Sequence, residues 1–186
     1  MSGSSRSEDS ILRPPLVGFQ GIVVYATEAG LVALAVVLPA LAHALGINGA
    51  AVLPMHWTVI LAAVVLGWKA GAIAGFAAPA LNTFFTGLPM MPLLPLMTVE
   101  VGLYGFIAGV AREKGRLNTF VSVALALVGG RIAFIVMAFL LGRIDGSLTA
   151  FVGATMAPGI IAAMLQLILI PIIAAPIARG LARESK

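Results

Sequence analysis

The sequence predicts an all-α integral membrane protein of six transmembrane helices with N and C termini in the cytoplasm, and three observations carry that expectation. The first is composition. Of 186 residues, 61% are hydrophobic and 10% charged, and mean hydropathy is +1.11, whereas a soluble domain has about 25% charged residues. The second is spacing: six spans of about 20 residues use roughly 120 positions and leave only tails and turns, with no room for a catalytic or nucleic-acid-binding domain among them. The third is the lopsided placement of lysine and arginine, which sets orientation.

Residues 1–16, MSGSSRSEDSILRPPL, are Ser-rich and mix Arg6, Glu8, Asp9 and Arg13, so they are expected to form a cytoplasmic tail that frays in water. The transmembrane domain occupies 17–178. Apolar windows bounded by Pro, Gly and charge place its helices at 17–42, 52–68, 70–87, 93–111, 118–141 and 151–178. A second cytoplasmic tail covers 179–186. Ala40 and Ala42 imitate a signal-peptide cleavage site, but five more apolar segments follow and Glu28 interrupts the run. GWKAG between the second and third spans permits only a tight antiparallel turn. TGLPMMPLLP between the third and fourth has prolines at 89, 92 and 95, which forbid a continuous helix and shape a rigid, lid-like segment.

With both termini inside, the inner face collects Arg6, Arg13, Lys69, Arg112, Lys114, Arg116, Arg179, Arg183 and Lys186. The outer face has Arg143 alone, and Arg131 falls within a span. The net charge of +4 would suggest nucleic acid in a soluble protein; here the basic residues sit at helix ends and face anionic lipid. The chain has no cysteine, which excludes disulfides, thiolate catalysis and Cys-ligated metals.

Ionisable groups inside a bilayer cost roughly 2.5–3.5 kcal/mol near its centre and need a partner, a cavity or a ligand. Three stand out: Glu28, Glu100 and Arg131. At about 1.5 Å of rise per residue from the outer helix ends, Glu100 lies roughly 12 Å deep, Arg131 roughly 15 Å and Glu28 about 20 Å. Glu100 and Arg131 therefore share a level on the fourth and fifth spans. They either pair with each other as a packing device or line an outward-facing pocket. Tyr104, four residues after Glu100, shares its face, and Asn82 adds an amide roughly 8 Å deep on the third span. Trp57 is either an interfacial anchor or a pocket wall. His43 and His56 flank one outer loop, but two imidazoles without a carboxylate or thiolate are a weak metal signal. No metal, cofactor or catalytic group is expected. Prolines 39, 79, 158, 171 and 176 mark candidate cavity walls. Small residues four apart recur at Ala29 and Ala33, Gly71 and Gly75, Gly105 and Gly109, and Gly159 and Ala163, a spacing that lets helices approach closely in lipid.

The succession VVLPALAHALG, LPMHWTVILAAVVLGWKAGAIAGFAAPAL and TGLPMMPLLPLMTVEVGLYGFIAGV, followed by a basic inner loop, resembles the substrate-binding S components of energy-coupling factor (ECF) vitamin transporters over roughly residues 30–116. The resemblance implies an S-component-like bundle that binds a vitamin or precursor from outside and works with a transmembrane coupling subunit and two ABC-type ATPases. It also implies docking on that subunit through a small-residue pair of the first helix, matched by Ala29 with Ala33 and also by Ala26 with Gly30. The pocket it implies lies in the outer half, near Glu100, Tyr104 and Arg131, with Met156 and Pro158 as apolar walls. The absence of a Walker A motif fits ATP hydrolysis in partners. Arg131 would suit a carboxylate such as that of pantothenate, and Glu100 an amine or the donor edge of a thiamine pyrimidine or a queuosine precursor; if the two neutralise each other, neither inference holds. The rival readings are a self-sufficient oligomeric facilitator or channel, with the Gly-rich third and fourth spans as its interface, and an integral-membrane enzyme acting on lipid.

Overall fold

In the computed structural model, which describes residues 12–18 and 20–184, every regular element is helical. The order is α1 (Ile22–Ala44), α2 (Gly49–Val52), α3 (Pro54–Leu66), α4 (Trp68–Thr86), α5 (Leu94–Glu113), α6 (Thr119–Leu140), α7 (Leu148–Met156), a 3-10 turn (Ala157–Gly159) and α8 (Ile160–Glu184). An apolar chain of this kind has little alternative, because a helix satisfies its backbone polar groups within one segment.

Local chemistry sets the boundaries. Gly67 alone separates α3 from α4 at φ 98°, a left-handed conformation that glycine adopts without steric cost. The Glu113 carboxylate accepts from the Trp68 amide at 3.1 Å, capping an α4 terminus that has no side-chain cap of its own. Asn118 caps α6 by accepting from Val121 N at 2.8 Å, and Ser147 caps α7 by accepting from Ala150 N at 3.2 Å. Pro95 stands in the first turn of α5, where a missing N–H costs nothing.

The short helix α3 is the centre of the bundle. Ten of its 13 residues are buried, and α1, α4, α5 and α8 all pack against it. Its neighbours α4 and α5 meet along a seam of glycines. A Cβ at Gly71 would stand 2.5 Å from both the Ala63 Cβ and the Gly105 carbonyl oxygen, and one at Gly75 would stand 2.5 Å from the Val101 carbonyl oxygen. A Cβ at Gly109 would run into the Trp68 backbone. The two glycine pairs therefore serve close packing within the chain.

Each of the six expected spans has a helical counterpart, but they are unequal. Among the described residues, four stretches are long and apolar enough to cross a membrane: Ile22–Ala44, Leu94–Glu113, Thr119–Leu140 and the composite Leu148–Glu184. With 13 residues, α3 extends about 20 Å at 1.5 Å per residue, short of a hydrocarbon core about 30 Å thick. The 19-residue α4 carries Lys69, Asn82, Thr83 and Thr86 and is less apolar. Charge counting had placed Arg6 and Lys186 in the tails; both lie outside the described residues, as do Glu8 and Asp9.

The expectation of a fraying segment up to residue 16 is corrected for its final residues. Pro14 and Val17 are buried, Val17 N donates to Val65 O at 3.0 Å, and the Arg112 guanidinium donates to Pro14 O. The cause is chemical: Arg112 lies at the end of α5, and the prolines at 14 and 15 supply a carbonyl without a competing helix.

Candidate functional site

Glu100 on α5 and Arg131 on α6 come together. Arg131 Nη1 lies 2.8 Å from Glu100 Oε1, with side-chain exposures of 21% and 3%. The Tyr104 hydroxyl donates to the same Glu100 oxygen at 3.1 Å, one helical turn along the same face. Tyr104 is fully buried and stands behind the pair. The pair also forms part of the wall of a cavity of about 390 Å³, so pairing with each other and lining a pocket do not exclude one another.

That cavity draws on every helix of one end of the bundle. It takes Pro39 and His43 from the end of α1, Leu53 to His56 from the start of α3, Asn82 from α4, Leu88 and Pro89 from the α4–α5 linker, Met97 and Glu100 from α5, Arg131 and Phe134 from α6, and Thr155 and Pro158 from the α7 region. The linker is tied down by side chains: Thr83 Oγ1 donates to Pro89 O at 2.9 Å, and Leu88 N donates to Thr86 Oγ1 at 3.2 Å. Thr86 Oγ1 in turn donates to Asn82 O at 2.7 Å. The proline-rich segment is therefore a fixed wall of the cavity.

His56 lines the cavity as well, a place that sequence reasoning, which weighs it only as a metal ligand, does not give it. It is 2% exposed, and both its ring nitrogens lack a hydrogen-bond partner among the described residues. Its ring meets the Tyr104 ring edge-on, centroids 4.9 Å apart. Leu53, immediately before Pro54 opens α3, is held in the left-handed region at φ 49°; a β-carbon-bearing residue rarely accepts that conformation without a structural demand. The one available signal in the sequence was a histidine two residues after the proline that starts an otherwise apolar helix.

The remaining expectations divide. Asn82, 2% exposed, is in the wall. Trp57 is not among the lining residues; its indole N–H donates to Val52 O at 3.1 Å. Pro158 lines the cavity, whereas Met156 packs one step behind, against the cluster of Leu96, Phe134 and Ala138. Of the prolines read as cavity walls, Pro39 and Pro158 are so placed, and Pro79 and Pro171 are buried in helix packing. Among the described residues no three His, Asp or Glu side chains converge as a metal-holding group.

Outside the bundle, α1 and α4 flank a lateral groove of about 980 Å³ that contains Glu28, Ala29 and Ala33. Ala29 and Ala33 are exposed, as are Ala26 and Gly30. Glu28 is 6% exposed, and neither carboxylate oxygen has a partner among the described residues. It does not meet the Glu100–Arg131 pair.

Long apolar helices around a largely apolar cavity, with a charged pair and the buried polar side chains of His56 and Asn82 in its wall, are those of a multi-pass membrane protein. The family model described as ECF transporter, substrate-specific component, matches residues 26–181, and the chain belongs to that family. It is accordingly a transport subunit and not an enzyme. No curated protein and no solved structure matches the chain.

Proposed function

We propose that the chain is the S component that captures a small water-soluble vitamin or vitamin precursor from outside a prokaryotic cytoplasmic membrane and holds it in the cavity walled by Asn82, Glu100 and Arg131, with Tyr104 buttressing the pair. The observation that carries this reading is the partial burial of a charged pair in a cavity wall. A buried ion pair adds little to stability by itself, because desolvation opposes its Coulomb attraction, whereas ionisable side chains within membrane spans characteristically face a cavity or solute pathway. Six crossings with both termini inside follow from the basic-residue count, and α3 is accommodated by its burial among longer helices. Energy comes from a coupling subunit carrying two ABC-type ATPases, so this chain supplies recognition and conformational exchange.

The facilitator reading loses its main support in the α4–α5 seam, whose glycines are occupied by each other instead of by a second copy. The separating experiment measures uptake in cells that express the chain with and without a coupling module. The proposal expects accumulation only with the module and only when ATP is hydrolysed; equilibration through the chain alone would favour a facilitator.

Docking is assigned to α1. Ala29 and Ala33 are exposed in the lateral groove, where small side chains permit close helix approach. Replacing both with leucine is expected to abolish co-purification with the coupling module while solute binding persists, because the groove and the cavity share no lining residue. Undiminished co-purification would move the interface elsewhere.

A further inference from the structure

We propose that His56 contacts the transported solute and determines its specificity, and that the solute is a net-neutral nitrogen heterocycle presenting a hydrogen-bond donor and an acceptor side by side. This inference rests on the reading of the cavity as a nutrient site and assigns the class of nutrient. It stands on three features of the cavity wall.

The first is the histidine. A neutral imidazole offers one donor and one acceptor, and both are buried without a protein partner. Buried polar groups in folded proteins are overwhelmingly paired, so a buried imidazole with neither nitrogen partnered, in a residue that lines the cavity, marks a place where a small shift of the wall lets another molecule complete the bonding. The second is Asn82, a buried donor and acceptor in one planar group, whose oxygen accepts from the Thr86 hydroxyl at 3.4 Å and keeps a second lone pair. An amide pairs in two-pronged fashion with a ring nitrogen beside an exocyclic amine, as in amide recognition of adenine. The third is charge. Glu100 and Arg131 already neutralise each other at 2.8 Å. A carboxylate or an ammonium entering the cavity would have to break that pair or remain without a counter-ion, and both are unfavourable at membrane depth. Met97, Phe134 and Pro158 supply apolar surface for the faces of a flat ring. Selection therefore falls on shape and hydrogen-bond pattern.

The test uses detergent-purified full-length protein stripped of bound solute, with three probes measured by equilibrium dialysis: the hydroxymethyl aminopyrimidine of thiamine, which is neutral; pantothenate, an anion; and the aminomethyl deazapurine precursor of queuosine, a cation. The aminopyrimidine is expected to bind one to one, and the two charged probes at least about a hundredfold more weakly. His56→Phe keeps an aromatic ring against Tyr104 but removes both polar atoms; His56→Asn keeps polarity but withdraws it from the cavity. Each should lower aminopyrimidine affinity at least about tenfold without altering elution as a monodisperse species, so one folded variant suffices. Binding equal to wild type in either folded variant overturns the role of His56, as it would if water alone occupied those nitrogens. Preference for a charged probe, or binding of none of the three, overturns the assigned class. Mass spectrometry of the unstripped protein separates this from failure of the nutrient-site reading: another retained solute leaves that reading standing, and no retained solute removes it.

Discussion

Leucine at Gly105 or at Gly71 is expected to eliminate folded protein from the membrane fraction, the largest effect of any single substitution in this chain. Over-packing a core usually costs about 1–3 kcal/mol because side chains shift to accommodate the added atoms. Here no such shift is available. A Cβ at Gly71 would meet the carbonyl oxygen of Gly105 at 2.5 Å, and a Cβ at Gly105 would meet the Gly71 backbone itself. The helices α4 and α5 would have to separate, and both form walls of the cavity. The cost is expected to exceed the 4–5 kcal/mol or so that marks exceptional substitutions. Gly153 on α7 is the matched control, since a Cβ there meets nothing within 4 Å; leucine at that position should leave yield and monodispersity in detergent unchanged. Equal loss in both variants would refute the seam as the cause.

The second large effect concerns the ion pair. Glu100→Ala strands the Arg131 guanidinium with only partial exposure, and Arg131→Ala strands a carboxylate that is 3% exposed. Breaking a buried pair from one side costs about 3–5 kcal/mol, whereas replacing both partners by apolar groups of similar volume is often neutral or stabilising. The double variant Glu100→Leu with Arg131→Met should therefore recover the thermal stability that either alanine variant loses, and it should still fail to retain solute. Recovery of stability together with retention would mean that the pair only fixes packing. Continued instability of the double variant would mean that Tyr104, deprived of its acceptor at 3.1 Å, dominates the energetics.

The helices were legible because membrane spans announce themselves locally, through runs of apolar residues between Pro, Gly and charge. Glu100, Tyr104 and Arg131 were legible for a related reason: an ionisable residue within a span demands compensation, and helical rise converts sequence position into depth. Features that depend on a helix's rotation about its own axis were not legible. The helix α3 is apolar nearly all round, so no periodic signal separated the direction of His56 from that of Trp57; that direction is set by the packing of α3 among α1, α4, α5 and α8. The break in the last span was implied by Pro158, but its form, a single 3-10 turn at Ala157–Gly159, depends on packing. The anchoring of Pro14 by Arg112 joins residues far apart in the chain, beyond the reach of any local pattern. Each expected span meets a helix, but α3 is too short to cross by itself and the last span is a composite of two helices and a 3-10 turn, lengths that apolar runs alone do not resolve.

The most direct test of the account is mass spectrometry of what is released when protein purified in detergent from cells grown in rich medium is denatured. The account predicts a single small molecule, stoichiometric with the chain, absent from protein carrying Glu100→Leu and Arg131→Met and present in protein carrying leucine at Ala29 and Ala33. A folded wild-type protein that releases nothing, or a solute retained equally by the double variant of the ion pair, would contradict the assignment of this cavity as the site of capture.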